Sequence, residues 1–284
     1  MTMTCDRQKT GNRTRKLEHY LSSNVLVGRN FKCEHFKECK ASHCGKGKFY
    51  AGQLHHVGKF YDLRLNGQAL RVVVVGQENG SAPNGGVRSR YDLKKRYDAI
   101  MNDGLRRSFK KEPDYEGYRN PHMRGTTSVL RLLFDIGLGA DHDKEFLTIH
   151  GKRVHIFDAF ALVNYLLCSA VGRDDPMRGK ATKVMKKNCL GHFQKVMSIL
   201  EPTVVVVEGK GFWDSIKRAF DSDSVKRVRN HVYRARLGTS EMLVAVFTHP
   251  AAHGGYNWGN NDHTPYLLKT VKPSIKWIRQ RING

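Results

Sequence analysis

RVVVVGQENG, residues 71–80, decides the fold. Four consecutive β-branched valines, Val72–Val75, leave no polar side chain for a solvent face. A strand of that kind is buried on both sides, as in a parallel sheet covered by helices. It breaks at Gly76 into a polar loop, and sheets of this class bind ligands beyond the carboxyl ends of their strands.

Three further segments share this character. VHIFDAFALVN (154–164) is apolar and stops at an Asn, TVVVVEG (203–209) carries a second four-valine run, and MLVAVFTHP (242–250) stops at His-Pro. Helical periodicity lies between them, in TTSVLRLLFDIGL (126–138), ATKVMKKNCLGHFQKVMSILEP (181–202) and GFWDSIKRAF (211–220), and again in PSIKWIRQRI (273–282), where Pro273 suits a first turn. Strands alternating with helices predict an α/β fold, a three-layer α/β/α sandwich with a central four-stranded parallel sheet. Residues 1–30 read as a basic arm ahead of one domain spanning 31–284. Within that domain, 31–50 form a cysteine-bearing segment and 81–120 a basic insert with a short helix around 91–102.

The 284 residues carry 49 Lys and Arg against 26 Asp and Glu, a formal charge of +23. Such an excess points to a polyanionic partner, since each neutralised phosphate releases a counterion. No run approaches a membrane span, and the first residues lack an apolar stretch. A soluble, cytoplasmic chain without membrane contact is therefore expected. Its six cysteines should then be thiols or metal ligands.

Polar residues at the strand ends are the chemical candidates. Glu78 stands in a Gly-flanked loop where a carboxylate can position water and stabilise a cation. Asn164 offers a donor and an acceptor together, the pattern that reads a base edge. His249 can donate to an oxygen that gains negative charge. Asp158 opens the second segment and could accept from an exocyclic amine if it faced the site, although a structural role suits it as well. AAHGGYNWGNNDHTPY (251–266) is a Gly-rich loop whose His253, Tyr256 and Trp258 are candidates for stacking on DNA, or for covering the core.

The order of these motifs resembles the uracil-DNA glycosylase superfamily, above all its iron–sulfur branch. GQENG (76–80) is similar to the first family motif. PHMRGTTSVLRLLFDIGL (121–138) resembles the Pro-Phe-x-Gly-x-x-Gly segment and its helix. ALVNYLLC (161–168) resembles the strand ending in a base-reading Asn with a cysteine four residues on. NCLGHFQKVMSILEPTVVVVEGK (188–210) resembles the following cysteine, helix and strand, and FTHPAAH (247–253) the His-Pro-Ser motif. The match spans most of residues 31–282.

The resemblance implies a DNA glycosylase that flips a nucleotide and hydrolyses its N-glycosidic bond. Glu78 and His249 would be catalytic, and Gly76, Gln77, His122 and Asn164 would form the base pocket. A [4Fe–4S] cluster is implied on Cys33, Cys39, Cys168 and Cys189, with Cys44 as an alternate ligand and structural zinc as the alternative metal. A monomer acting on DNA is expected. This chain departs from the pattern at His122 (usually Phe), Asn79 (usually Pro), Ala251 (usually Ser) and in the length of the 81–120 insert. A polar, reshaped pocket suits uracil or a hydroxymethylated or glucosylated cytosine, as in phage DNA. A non-catalytic nucleic-acid-binding module of the same fold is the competing expectation, and a covalent trap through His253 a weaker one.

Overall fold

The computed structural model describes residues 2–27, 30–31, 33–43, 47–51, 54–77, 92–172 and 181–283. Glu78, Asn79, Cys44 and the first part of the insert lie outside the described residues.

The chain is α/β, built on a mixed seven-stranded sheet. Its strands are β1 (His56–Val57), β2 (Val72–Gly76), β3 (Ala161–Asn164), β4 (Val204–Glu208), β5 (Lys226–Arg229), β6 (Val232–Leu237) and β7 (Ser240–Phe247), in the spatial order β5-β6-β7-β4-β2-β3-β1. β2 pairs parallel with β3 and β4, and β4 pairs parallel with β7. β1 and the β5–β6 hairpin extend this core antiparallel. The sheet is thus wider than the four strands read from sequence. β5 exposes all four side chains, so it carries none of the apolar patterning by which a strand is recognised.

Alternate residues of the central strands feed two separate apolar clusters. Val73, Val75, Val163, Val205 and Val207 pack with α1 (Arg7–Asn24) and the helix Leu190–Leu200. Val72, Val74, Leu162, Val204 and Val206 pack with residues of α2 (Leu93–Arg106), α3 (Pro121–Leu133) and the last helix, Lys272–Asn283. Burial on both faces is what the unbroken valine runs require.

The N-terminal segment is not a loose arm. Met3–Cys5 pairs with Leu63–Leu65, α1 buries Leu17 and Leu21, and Arg13 forms a 3.0 Å ion pair with Asp62. The segment 154–164 is also not one strand. Lys152–His155 belongs to a small hairpin, Ile156–Asp158 is a 3-10 turn, and only Ala161–Asn164 enters the main sheet. No helix among the described residues is long and apolar enough to cross a membrane.

Candidate active site

The site gathers at the carboxyl ends of the four parallel strands. β2 connects to its neighbour β3 on one side and β4 flanks it on the other, so the chain reverses direction of winding between β2 and β4. Such a switch point opens a crevice at the strand ends.

Gly76 and Asn164 are direct neighbours in the β2–β3 register. The ladder continues past both strands, with Tyr165 N–H donating to Gly76 O at 2.9 Å and Leu166 N–H to Gln77 O at 2.8 Å. A Cβ on residue 76 would lie 3.3 Å from Asn164 Oδ1 and 3.5 Å from His122 Nε2. Glycine therefore lets the backbone, the amide and the imidazole meet. Asn164 is 9% exposed.

His122 is the second residue of α3, where Pro121 and the Asn120 cap, accepting from Met123 N–H, fix the start of the helix. Its Nε2 lies 3.0 Å from Glu208 Oε2. Glu208 ends β4 and is wholly buried, and the Thr126 hydroxyl reaches its two oxygens at 3.2 and 3.1 Å. Glu208 is not among the candidates that the sequence suggests. Its signal was present, since VVVVEG repeats the grammar of VVVVGQ: an apolar run stopped by a polar residue beside glycine.

His249 follows β7, and its ring stacks on His122 with centroids 5.4 Å apart and planes at 25°. Ala251 N–H donates to His249 Nδ1 at 3.1 Å, which leaves Nε2 as the protonated nitrogen of the neutral ring. Desolvation, with His122 beside it, pushes His249 down to about 4, although the residue as a whole is exposed. At neutral pH it is a neutral donor. Because His249 covers one face of His122, that face does not offer a platform for a base.

The loop after His249 is anchored rather than loose. Pro250 accepts from Gly259 N–H at 2.9 Å, and a Cβ on Gly125 would come within 2.6 Å of Pro250. Trp258 is fully buried and donates from its indole to Thr248 O at 2.8 Å, so it is a core residue and not a DNA-stacking one. Tyr256, 59% exposed, and the exposed His253 remain on the surface.

Asp158 takes the structural one of the two roles that the sequence left open. It sits at the start of β3, opposite the Asn164 end, where it accepts from Lys59 N–H at 2.7 Å and from the Tyr97 hydroxyl at 3.0 Å. That bonding locks the β1–β3 edge and keeps it out of the pocket.

Cys33, Cys39, Cys168 and Cys189 are all buried. Cys33 Sγ lies 3.4 Å from His192 Nε2, and Asn188 donates to Cys39 Sγ at 3.6 Å. Cys189 falls between these two partners, so three of the four thiols share one region. Burial raises the thiols of Cys33 and Cys39, with Cys39 adding to the rise at Cys33 and Glu38 to the rise at Cys39. Among the described residues, no three of these thiols lie within 4.8 Å of one another.

Among the described residues, the one trio of ligand atoms mutually within 4.8 Å is His142, Glu145 and His155. Arg119 meets Glu145 at 2.7 Å, both fully buried, and Arg131 lies 3.9 Å away. Two guanidiniums already occupy the place of a cation, so the trio is a structural ion network. No family model matches the chain, and no curated protein matches it.

Proposed function

We propose that the chain is a DNA glycosylase of the uracil-DNA glycosylase type, acting on uracil or a modified cytosine. The observation that carries this reading is the meeting of Asn164, His122 and His249 at the strand ends of a parallel sheet, with Ala251 N–H holding His249 Nδ1 and Nε2 left to donate. A flipped base requires an edge-reading amide and a donor for the charge that appears as the glycosidic bond breaks. Asn164 supplies the first and His249 the second. Glu78 is assigned the stabilisation of the sugar cation on the strength of its motif.

The surface beside the site fits a polyanion. A cavity of about 160 Å³ is lined by Lys210, Trp213, Arg227, Asn230, His231 and Tyr233, and the exposed β5 adds Lys226 and Arg229. Phosphate contacts of this kind position the duplex without reading sequence. For Cys33, Cys39, Cys168 and Cys189 we assign a structural [4Fe–4S] cluster, with zinc as the alternative. It takes no part in bond cleavage, and iron, sulfide and zinc analysis of the purified protein decides between the metals.

The test is excision. DNA bearing uracil, mismatched uracil or glucosylated hydroxymethylcytosine is incubated with the protein, and abasic sites are cleaved with alkali. Strand breaks on at least one substrate are expected, and they should vanish in Asn164→Ala. Tight binding with no breaks on any substrate would instead establish a non-catalytic DNA-binding module.

A further inference from the structure

We propose that Glu208 and His122 form an acid–base pair, in which Glu208 holds His122 by its Nε2–H and His122 Nδ1 carries a proton from water to the departing base. This rests on the glycosylase reading and adds to it a proton carrier that Glu78, Asn164 and His249 do not supply.

Among the described residues two glutamates are wholly buried, and they are treated differently. Glu145 has Arg119 at 2.7 Å, with Arg131 and His155 beside it. That is how a structural carboxylate is neutralised in a core. Glu208 has a threonine hydroxyl and a partly exposed imidazole at 3.0 Å. A carboxylate buried against so weak a partner is costly to stability. It also stands at the last residue of β4, on the crevice between β2 and β4 where ligands of such sheets bind.

The polar contacts of the two stacked imidazoles fall on opposite ring nitrogens. Ala251 N–H occupies Nδ1 of His249, leaving Nε2–H as a donor. Glu208 Oε2 occupies the Nε2 side of His122, leaving Nδ1 as an acceptor. One ring can stabilise charge on a leaving group while the other takes a proton, a division of labour produced by environment alone. The charged and titratable groups facing His122 are Glu208 from β4, His249 from the loop after β7 and Asp103 from α2.

The step balances without a further reactant. Water oxygen forms the bond to the anomeric carbon while one of its protons passes to His122 Nδ1. The C–N bond breaks with its electron pair on the base. The proton then moves from Nδ1 to the base anion, giving a hydroxyl on the sugar and a neutral free base. Glu208 is a positioning residue that stabilises the imidazolium formed midway, as a buried carboxylate does for a catalytic histidine.

His122→Phe separates this from stacking, because phenylalanine keeps an aromatic face and removes the nitrogen. Excision by His122→Phe and by Glu208→Gln should each fall ~100-fold or more in kcat, with KM nearly unchanged, and the double variant should lose little beyond either. Full activity in His122→Phe, or fully additive losses, would overturn the pair. A second measurement needs no substrate. Nitrogen-15 spectra of the histidine-labelled full chain should show neutral His122 protonated at Nε2, and an Nδ1-protonated ring would refute the assignment even if no base is ever excised. Absence of excision in the wild type with the Nε2–H tautomer present sinks the glycosylase reading and leaves the Glu208–His122 pairing standing.

Discussion

Acidification should unfold this protein well before its carboxylates titrate. His55, His56 and His155 are buried, and burial pushes His55 and His56 down to about 3 and His155 down to about 4, from 6.5. Their folded-state pKa values are depressed, so the folded chain keeps them neutral where the unfolded chain binds protons. The stability they permit is intact above 6.5 and is lost as pH falls below it. Each unequal proton costs roughly 1.4 kcal/mol per pH unit, so three cost roughly 4 kcal/mol per unit between 6.5 and the folded-state values. From pH 7 to pH 5 the loss is about 6 kcal/mol, comparable with the whole stability of an ordinary domain. Burial raises Asp103 and Asp158, which works in the opposite sense further into the acid range. The assay is urea denaturation at pH 7.5, 6.0 and 5.0, followed by circular dichroism. A midpoint that stays constant across the three would refute the reasoning. Neither ring nitrogen of His55 has a hydrogen-bond partner among the described residues, so His55→Leu should keep the fold and remove about a third of the pH slope.

Other perturbations read the same architecture. Arg119→Met strands Glu145 without its nearest cation and should cost ~3 kcal/mol or more in urea denaturation, against near-neutrality if the pair were dispensable. Gly125→Ala puts a methyl group into Pro250; a loss of ~1–3 kcal/mol is expected from overpacking. Because the clash pries α3 from the loop bearing His249, excision should fall as well, and unchanged excision would disconnect the packing from the site. Tyr256→Ala should weaken binding to single-stranded and duplex DNA at unchanged Tm, whereas Trp258→Ala should cost ~3–5 kcal/mol in stability; the reverse pattern would exchange the roles given to these two aromatics.

The parallel strands were legible because both their faces are buried, and an unbroken Val72–Val75 or Val204–Val207 run has no other stable place in a water-soluble fold. The polar residues closing those runs were legible for the same reason: a strand's end is where backbone emerges. Glu208 escaped notice because a glutamate after a strand is usually a solvated one, and only tertiary packing reveals that α3 covers it. The β5–β6 hairpin was hidden by its charge, since Lys226, Arg227 and Arg229 expose a surface that reads as loop. For Asp158 and Trp258 the sequence left two roles open for one shared reason. Composition tells that a residue is polar or aromatic, but not which way its side chain faces or whether its loop folds back over the core.

The order β7-β4-β2-β3 has a consequence in time. His122 is delivered early in the chain and His249 late, from the strand that is last of the parallel set to be synthesised. No fragment that stops before β7 can bring the two imidazoles face to face, and contacts so distant in sequence close slowly. During synthesis the pairing of the two imidazoles, and the docking of the β5–β6 hairpin on β7, are therefore the last parts of the sheet to be completed.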